Sequence, residues 1–406
     1  MAHLGQRVAI IGGGYAGMAA AVTLAEQRIP VTVFEALALP GGRARRIDSQ
    51  GHELDNGQHI LIGAYTELYR LMRMVGVPQD ALLRMPLEIQ YPARFHFRRL
   101  PEPLGLAGGL LAARGISLGE RLRAARFMAT LRRARFRLDS DIAVSELLAR
   151  HRQNGALAHY LWRPLCVSAL NTPPELASAN VFLAVLRDTL GGAAAASDLL
   201  LPRRDLSRLF PEPAAHYVRA RGGDIRLQSA VKDLGALRQE FDRVIIAVGA
   251  HQLKTLLPEA PEFGYQPIYT CYLQYADDVR LPLAMLGLAD GLVQWVFDRG
   301  ALLGERGRLA CVISAQGDHQ QMPLDELAER CHRELAAFLP GLGKPQWSRV
   351  IAEKRATITC SPAAKPALPS IPGVAFAGDY TDAEYPPTLE AAVRSGVRAA
   401  QKVLRA

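Results

Sequence analysis

The chain has 406 residues, 49% of them hydrophobic, and a formal net charge of +9 at pH 7. That is enough apolar sequence for one two-lobed unit or two domains, yet no apolar run approaches the roughly 18–20 residues that span a bilayer. Five cysteines, at 166, 271, 311, 331 and 360, are scattered with no CxxC, which argues against a disulfide framework or a zinc site and for a reducing compartment. The first element is the most telling. Val8–Ile11 reads as a strand, Gly12-x-Gly14-x-x-Gly17 as a tight turn, Ala16–Gln27 as a helix, and Val31–Phe34 as a second strand ending on Glu35. Gly12 permits the turn, Gly14 lets backbone approach a pyrophosphate, and Gly17 lets the helix pack on the sheet with its first N–H groups aimed at the phosphates. Glu35 is placed to accept hydrogen bonds from a ribose diol, and its charge would repel a 2′-phosphate. The unit predicts dinucleotide binding.

A second glycine pair follows in Gly41-Gly42-Arg43, where backbone would meet the same pyrophosphate and Arg43 offers a planar fork for its oxygens. The 117–138 segment predicts a helix with two apolar stripes, Leu118/Leu122/Ala125/Ala129 and Phe127/Leu131/Leu138, separated by Arg123, Arg126, Arg133 and Arg137. Such a helix suits a position between protein and an anionic membrane surface, with a solvated cap helix as the plain alternative. Nucleic acid is not expected, since no reading motif accompanies the charge. Further helices are expected at 144–152, 178–190 and 325–338, and strands at 268–275, 292–297 and 309–315, these last forming one wall of a pocket. Gly191–Ala196 is a short hinge-like run. Near the far end, Val374-Ala-Phe-Ala-Gly378-Asp379 reads as a strand ending in Gly-Asp, and Thr388-Leu389 stands where a long helix opens. Asp379 suits a ribityl hydroxyl or a simple cap, and the helix start suits the electron-rich pyrimidine edge of a flavin.

Taken together, Gly12, Gly14, Gly17, Glu35, Gly41, Gly42, Arg43, Gly378 and Asp379 resemble the FAD-dependent amine oxidase and phytoene desaturase superfamily. The resemblance implies an α/β fold: an FAD-binding Rossmann-like domain with a second α+β substrate-binding lobe. The FAD domain is expected at 1–75, 205–260 and 350–406, and the lobe at 76–204 and 261–349. It also implies a backbone contact to adenine near Val231. The runs Leu54–Leu61, Trp162–Cys166, Leu170–Pro174 and Leu201–Ser207 look like the squalene-associated flavoenzymes of bacterial hopanoid pathways, the hydroxysqualene dehydroxylases, over about residues 6–403. What this implies is reductive removal of an allylic hydroxyl from a polyisoprenoid, with reduced FAD as donor.

Such chemistry needs a group that protonates or hydrogen-bonds the departing oxygen while water is excluded. His59 and Asp55 are the candidates, with Tyr385 and Tyr380 behind them. His59 could equally bond to backbone beside the cofactor, and Asp55 could stabilise its own turn or an arginine. Trp162 and Trp295 read as core or pocket wall. No second GxGxxG follows a strand, so the electron donor stays unidentified. A desaturase or oxidase on the same fold, and a non-enzymatic isoprenoid carrier, are the competing readings. An amine substrate is disfavoured, because Lys354 and Lys365 cannot be placed beside a flavin. No metal is called for. With the first strand beginning near residue 8, a cytoplasmic protein, soluble or peripheral on the inner membrane, is expected.

Overall fold

Val8–Ile11, wholly buried, is the middle strand of a five-stranded parallel sheet in the order 224–226, 31–34, 8–11, 243–246, 374–376. The computed structural model describes residues 6–405 apart from 92–93, 101–104, 191–193, 289, 364 and 383. A continuous Val/Ile run is what a parallel strand covered on both faces requires. The Tyr15–Glu26 helix is buried from Tyr15 through Ala25, because the sheet covers one side and the Leu389–Arg405 helix the other. Its Met18, Val22 and Leu24 are fully buried, each contributing about 1.5–3 kcal/mol. Gly17 makes the turn closable: a Cβ there would stand 1.9 Å from the Gly12 carbonyl oxygen.

The second sheet is antiparallel, in the order 285–287, 295–298, 308–314, 265–274, 347–358. The Leu324–Phe338 helix covers one face through Leu327, Cys331 and Leu335. Trp347–Ile358 pairs with Tyr265–Gln274 along its length, from Trp347↔Gln274 to Ile358↔Tyr265. The expected boundary at 350 therefore falls inside a strand of the substrate lobe, and the chain rejoins the parallel sheet only at Val374. The lobe's other half is helical, with a core around Phe127, Trp162 and Phe182. Trp162 is core, its Nε1 donating to Gln153 Oε1 at 3.0 Å.

The arginine-rich helix spans Leu118–Arg133, shorter than expected. Ser117 closes its start with a capping box to Glu120, and Arg135 and Phe136, both at positive φ, end it. The two stripes part company here. Phe127 and Leu131 are buried with Ala124 and Met128, whereas Leu118 and Leu122 stand 67% and 54% exposed, beside Leu111 at 47%. Among the described residues no helix is long and apolar enough to cross a membrane. The hinge-like run begins at 191–193, which lie outside the described residues.

Candidate functional site

A cavity of about 620 Å³ runs between the two sheets, within the 300–1,000 Å³ usual for small-molecule sites. One end is built by Glu35. The strand places its carboxylate at the sheet edge, where Oε2 accepts from the Gly13 N–H at 2.7 Å and Oε1 from the Leu37 N–H at 2.8 Å. Only 6% exposed, the side chain is locked in one orientation and lines the cavity. The segment bearing Val231 is tied alongside, Ser229 N–H donating to Glu35 O at 2.8 Å and Gln228 N–H to Leu37 O at 3.0 Å. Val231 lines the cavity there.

The middle is a backbone cradle. Gly41 N–H donates to Gly13 O at 2.9 Å, and Gly14 bridges Gly41. Gly42 is left-handed, at φ +62°, and a Cβ on it would press within 3.2 Å of Gly14 Cα. Gly12, Gly14, Gly41 and Gly42 all line the cavity, so the wall here is bare peptide, which is what close approach to a pyrophosphate demands. Arg43 also lines it, but its fork is not free. Nη2 donates to Asp379 Oδ1 and Nη1 to Ala356 O, both at 2.7 Å. Arg43 is thus a tie between the glycine loop, the end of the second sheet and the Gly378-Asp379 turn. Gly378 N–H donates to Ser395 Oγ at 2.7 Å, and Thr388 Oγ1 accepts from Ala391 N–H at 3.2 Å, capping the last helix. Asp379, Thr388 and Leu389 line the cavity.

Beyond the cradle the lining changes character. Ile60, Ile268, Trp295, Phe297, Val312 and Ile351 form an apolar wall, and Trp295 is held upright by its Nε1 donating to Ser168 Oγ at 2.9 Å. Gln58 and His59 lie where the two regions meet. Gln58 Nε2 donates to Tyr272 OH at 2.8 Å, which in turn donates to Asp55 O at 2.8 Å. His59 lines the cavity, and its inaccessible Nδ1 has no well-formed hydrogen bond among the described residues. Burial, opposed by an interaction with the Gly57 backbone and helped by the charge of Arg43, lowers its pKa to about 4. The side chain is therefore neutral at pH 7, which favours hydrogen bonding over proton donation as its role.

Two other candidates are displaced. Asp55 is turned away from the cavity and paired with Arg299, Nη1 to Oδ2 at 3.0 Å, while Oδ1 accepts from Leu206 N–H at 2.9 Å. The two side chains are 6% and 2% exposed. Tyr385 is packed under the Arg394 guanidinium, 4.8 Å from ring centre to carbon, and does not line the cavity. Tyr380 does line it, with a buried hydroxyl that has no hydrogen-bond partner among the described residues. Neither Lys354 nor Lys365 does. Residues the sequence reading passed over include Glu353, Arg355 and Thr357, alternate positions on one strand face, with Ile351 preceding them. Glu353 Oε2 accepts from Asn56 Nδ2 at 3.1 Å. Lys232, His251 and Asn171 also line the cavity. The period-two pattern was readable, with Val350, Ala352, Ala356 and Ile358 on the opposite face, but Lys354 interrupts that apolar face.

A dinucleotide fits these parts: a fixed carboxylate for a ribose, a peptide cradle for phosphates, and a helix start beside an apolar chamber. The family model described as flavin containing amine oxidoreductase matches residues 15–404. The chain is 29% identical to a hydroxysqualene dehydroxylase of Rhodopseudomonas palustris, over 99% of each chain. It is 23% identical to a probable zeta-carotene desaturase of Synechococcus elongatus, over 98% of this chain and 99% of the other. The fold is similar to that of an oxidoreductase from Methanosarcina mazei, at a TM-score of 0.76 and 15% identity, covering 98% and 100% of the two chains.

Proposed function

Since the chain belongs to the flavin containing amine oxidoreductase family and is an FAD-dependent oxidoreductase, we propose that it acts on a polyisoprenoid, removing the allylic hydroxyl of hydroxysqualene to give squalene. The observation that carries this is the end-to-end match, 99% of both chains, to a hydroxysqualene dehydroxylase. Bound and reduced, FAD supplies the two electrons. In the balanced reaction the C–O bond breaks, a C–H bond forms, and the oxygen leaves as water after taking one proton.

The chain's own residues have three tasks. Ile60, Ile268, Trp295, Phe297, Val312 and Ile351 hold an apolar chain and exclude water from the reacting carbon. Neutral His59 offers a ring N–H to the departing oxygen without carrying a charge that would repel an allylic cation. Arg43 and Asp379 hold the glycine loop and the last helix in register. Leu111, Leu118 and Leu122, exposed among Arg114, Arg123 and Arg126, support docking of this surface on an anionic membrane, from which a water-insoluble substrate would be drawn.

Anaerobic incubation of dithionite-reduced protein with hydroxysqualene tests the reading. Squalene by mass spectrometry, formed as the flavin reoxidises, is the expected result; unchanged alcohol and a flavin that stays reduced would refute it. A desaturase is the second reading, favoured by the match to the zeta-carotene desaturase. Oxidised protein turning over a polyene precursor would establish it instead.

A further inference from the structure

The run Leu201–Ser207 has no part in the cavity described above, yet it lines a second one of about 260 Å³, whose walls are Arg46, Glu53, Leu54, Arg203, Arg204, Asp205, Arg208, Arg299, Leu303 and Glu305. Five arginines and three carboxylates line it, and two further carboxylates, Glu212 and Asp55, pair with Arg46 and Arg299. The pairing shows which guanidinium groups are left open. Arg46 reaches Glu53, Asp205 and Glu212 at 3.3, 3.4 and 3.1 Å, and Arg208 reaches Asp205 at 3.1 Å. Arg299 is fixed by Asp55 and Glu305 at 3.0 and 2.6 Å. The three carboxylates are thereby satisfied. Arg203 and Arg204, both exposed, form no ion pair or hydrogen bond through their guanidinium groups with any other described residue.

We propose that this cavity binds a phosphate-bearing anion of the diphosphate class, held by Arg203 and Arg204. Adjacent guanidinium forks match phosphoryl oxygens in a bidentate way that a single lysine could not. The cavity has room for two phosphoryl groups. It is separate from the glycine cradle. A gap of about 10 Å³, room for roughly one water, shares Gly57, Gln58, His59 and Phe297 with the main cavity and Arg204 and Leu303 with this one. An anion here would sit behind the His59 segment, not against a flavin.

Calorimetric titration of the FAD-loaded protein with inorganic diphosphate, and separately with geranyl diphosphate, tests this at low salt. Saturable one-to-one binding is expected, weakened at least tenfold in the Arg203→Ala/Arg204→Ala variant with flavin content unchanged. The Arg132→Ala/Arg133→Ala variant, which removes the same charge elsewhere, should bind as the parent does. Tighter binding of geranyl diphosphate would identify the head of a prenyl ester as the source, and equal binding a free anion. Absence of saturable binding, binding that survives loss of Arg203 and Arg204, or equal weakening in the two variants would overturn the proposal.

Discussion

Replacing Arg299 with leucine should be among the most damaging single changes outside the cavity. Its side chain is 2% exposed and Asp55's 6%, so the substitution strands a carboxylate in the interior with only the Leu206 N–H at 2.9 Å as partner. Breaking one side of a buried pair costs about 3–5 kcal/mol. At about 2.1 cal/mol/K of unfolding entropy per residue, a chain of 406 residues converts this into a fall in Tm of about 4–6 °C. The loss should depend on pH. Burial already raises the pKa of Asp55 against the pull of Arg299, and removing that pull raises it further. A folded state that binds the proton more tightly than the unfolded one keeps this stability at low pH and loses it as pH rises through the folded pKa. Thermal melts followed by flavin fluorescence should therefore show the variant closest to the parent near about pH 5.5 and furthest near about pH 8. Adding Asp55→Asn should recover most of the loss, since both charges are then gone. A drop of the same size at both pH values, or no recovery in the double variant, would refute the reasoning.

Arg43→Ala removes the tie to Asp379 and Ala356 and should weaken FAD by about 1.5–3 kcal/mol, read as flavin released on dialysis; full occupancy would sink the assignment. The folded state resists protonating His59. Its contribution to stability is thus present above about pH 6.5 and lost as pH falls through about 4. His59→Gln should unfold less steeply in acid, and the parent's turnover should not decline between about pH 6 and 7.5, as it would if an imidazolium were the donor. Leu118→Asp with Leu122→Asp, both exposed in the parent, should leave Tm unchanged while cutting flotation with anionic liposomes several-fold. Equal flotation would argue for a solvated helix.

The first 35 residues were legible because their chemistry is local. Strands Val8–Ile11 and Val31–Phe34 lie where apolar runs and glycines put them, and Glu35 ends the second strand facing the cavity. Gly41, Gly42, Val231, Asp379, Thr388 and Leu389 also line it. What could not be read was pairing over distance. Asp55 looked reactive beside His59, but its partner is 244 residues away. The strand 347–358 sets Val350, Ala352, Ala356 and Ile358 on one face, but nothing in that pattern says which sheet it joins, and the expected lobe boundary falls inside it. The arginine helix was extended past Arg133 because positive φ at Arg135 and Phe136 has no signature in those residue types.

The Arg43–Asp379 tie, with the 374–376 strand and the last helix behind it, has a consequence for biosynthesis. The nucleotide-holding half of the site is translated first and the turn that closes it comes more than 330 residues later. Until residues 374–396 clear the ribosome, the first βαβ unit lacks the helix that covers Tyr15–Glu26, and that apolar surface stays open to chaperones or to aggregation. Flavin capture should accordingly be a late, post-translational event, and flavin supply during expression should determine how much of the newly finished chain matures rather than misfolds.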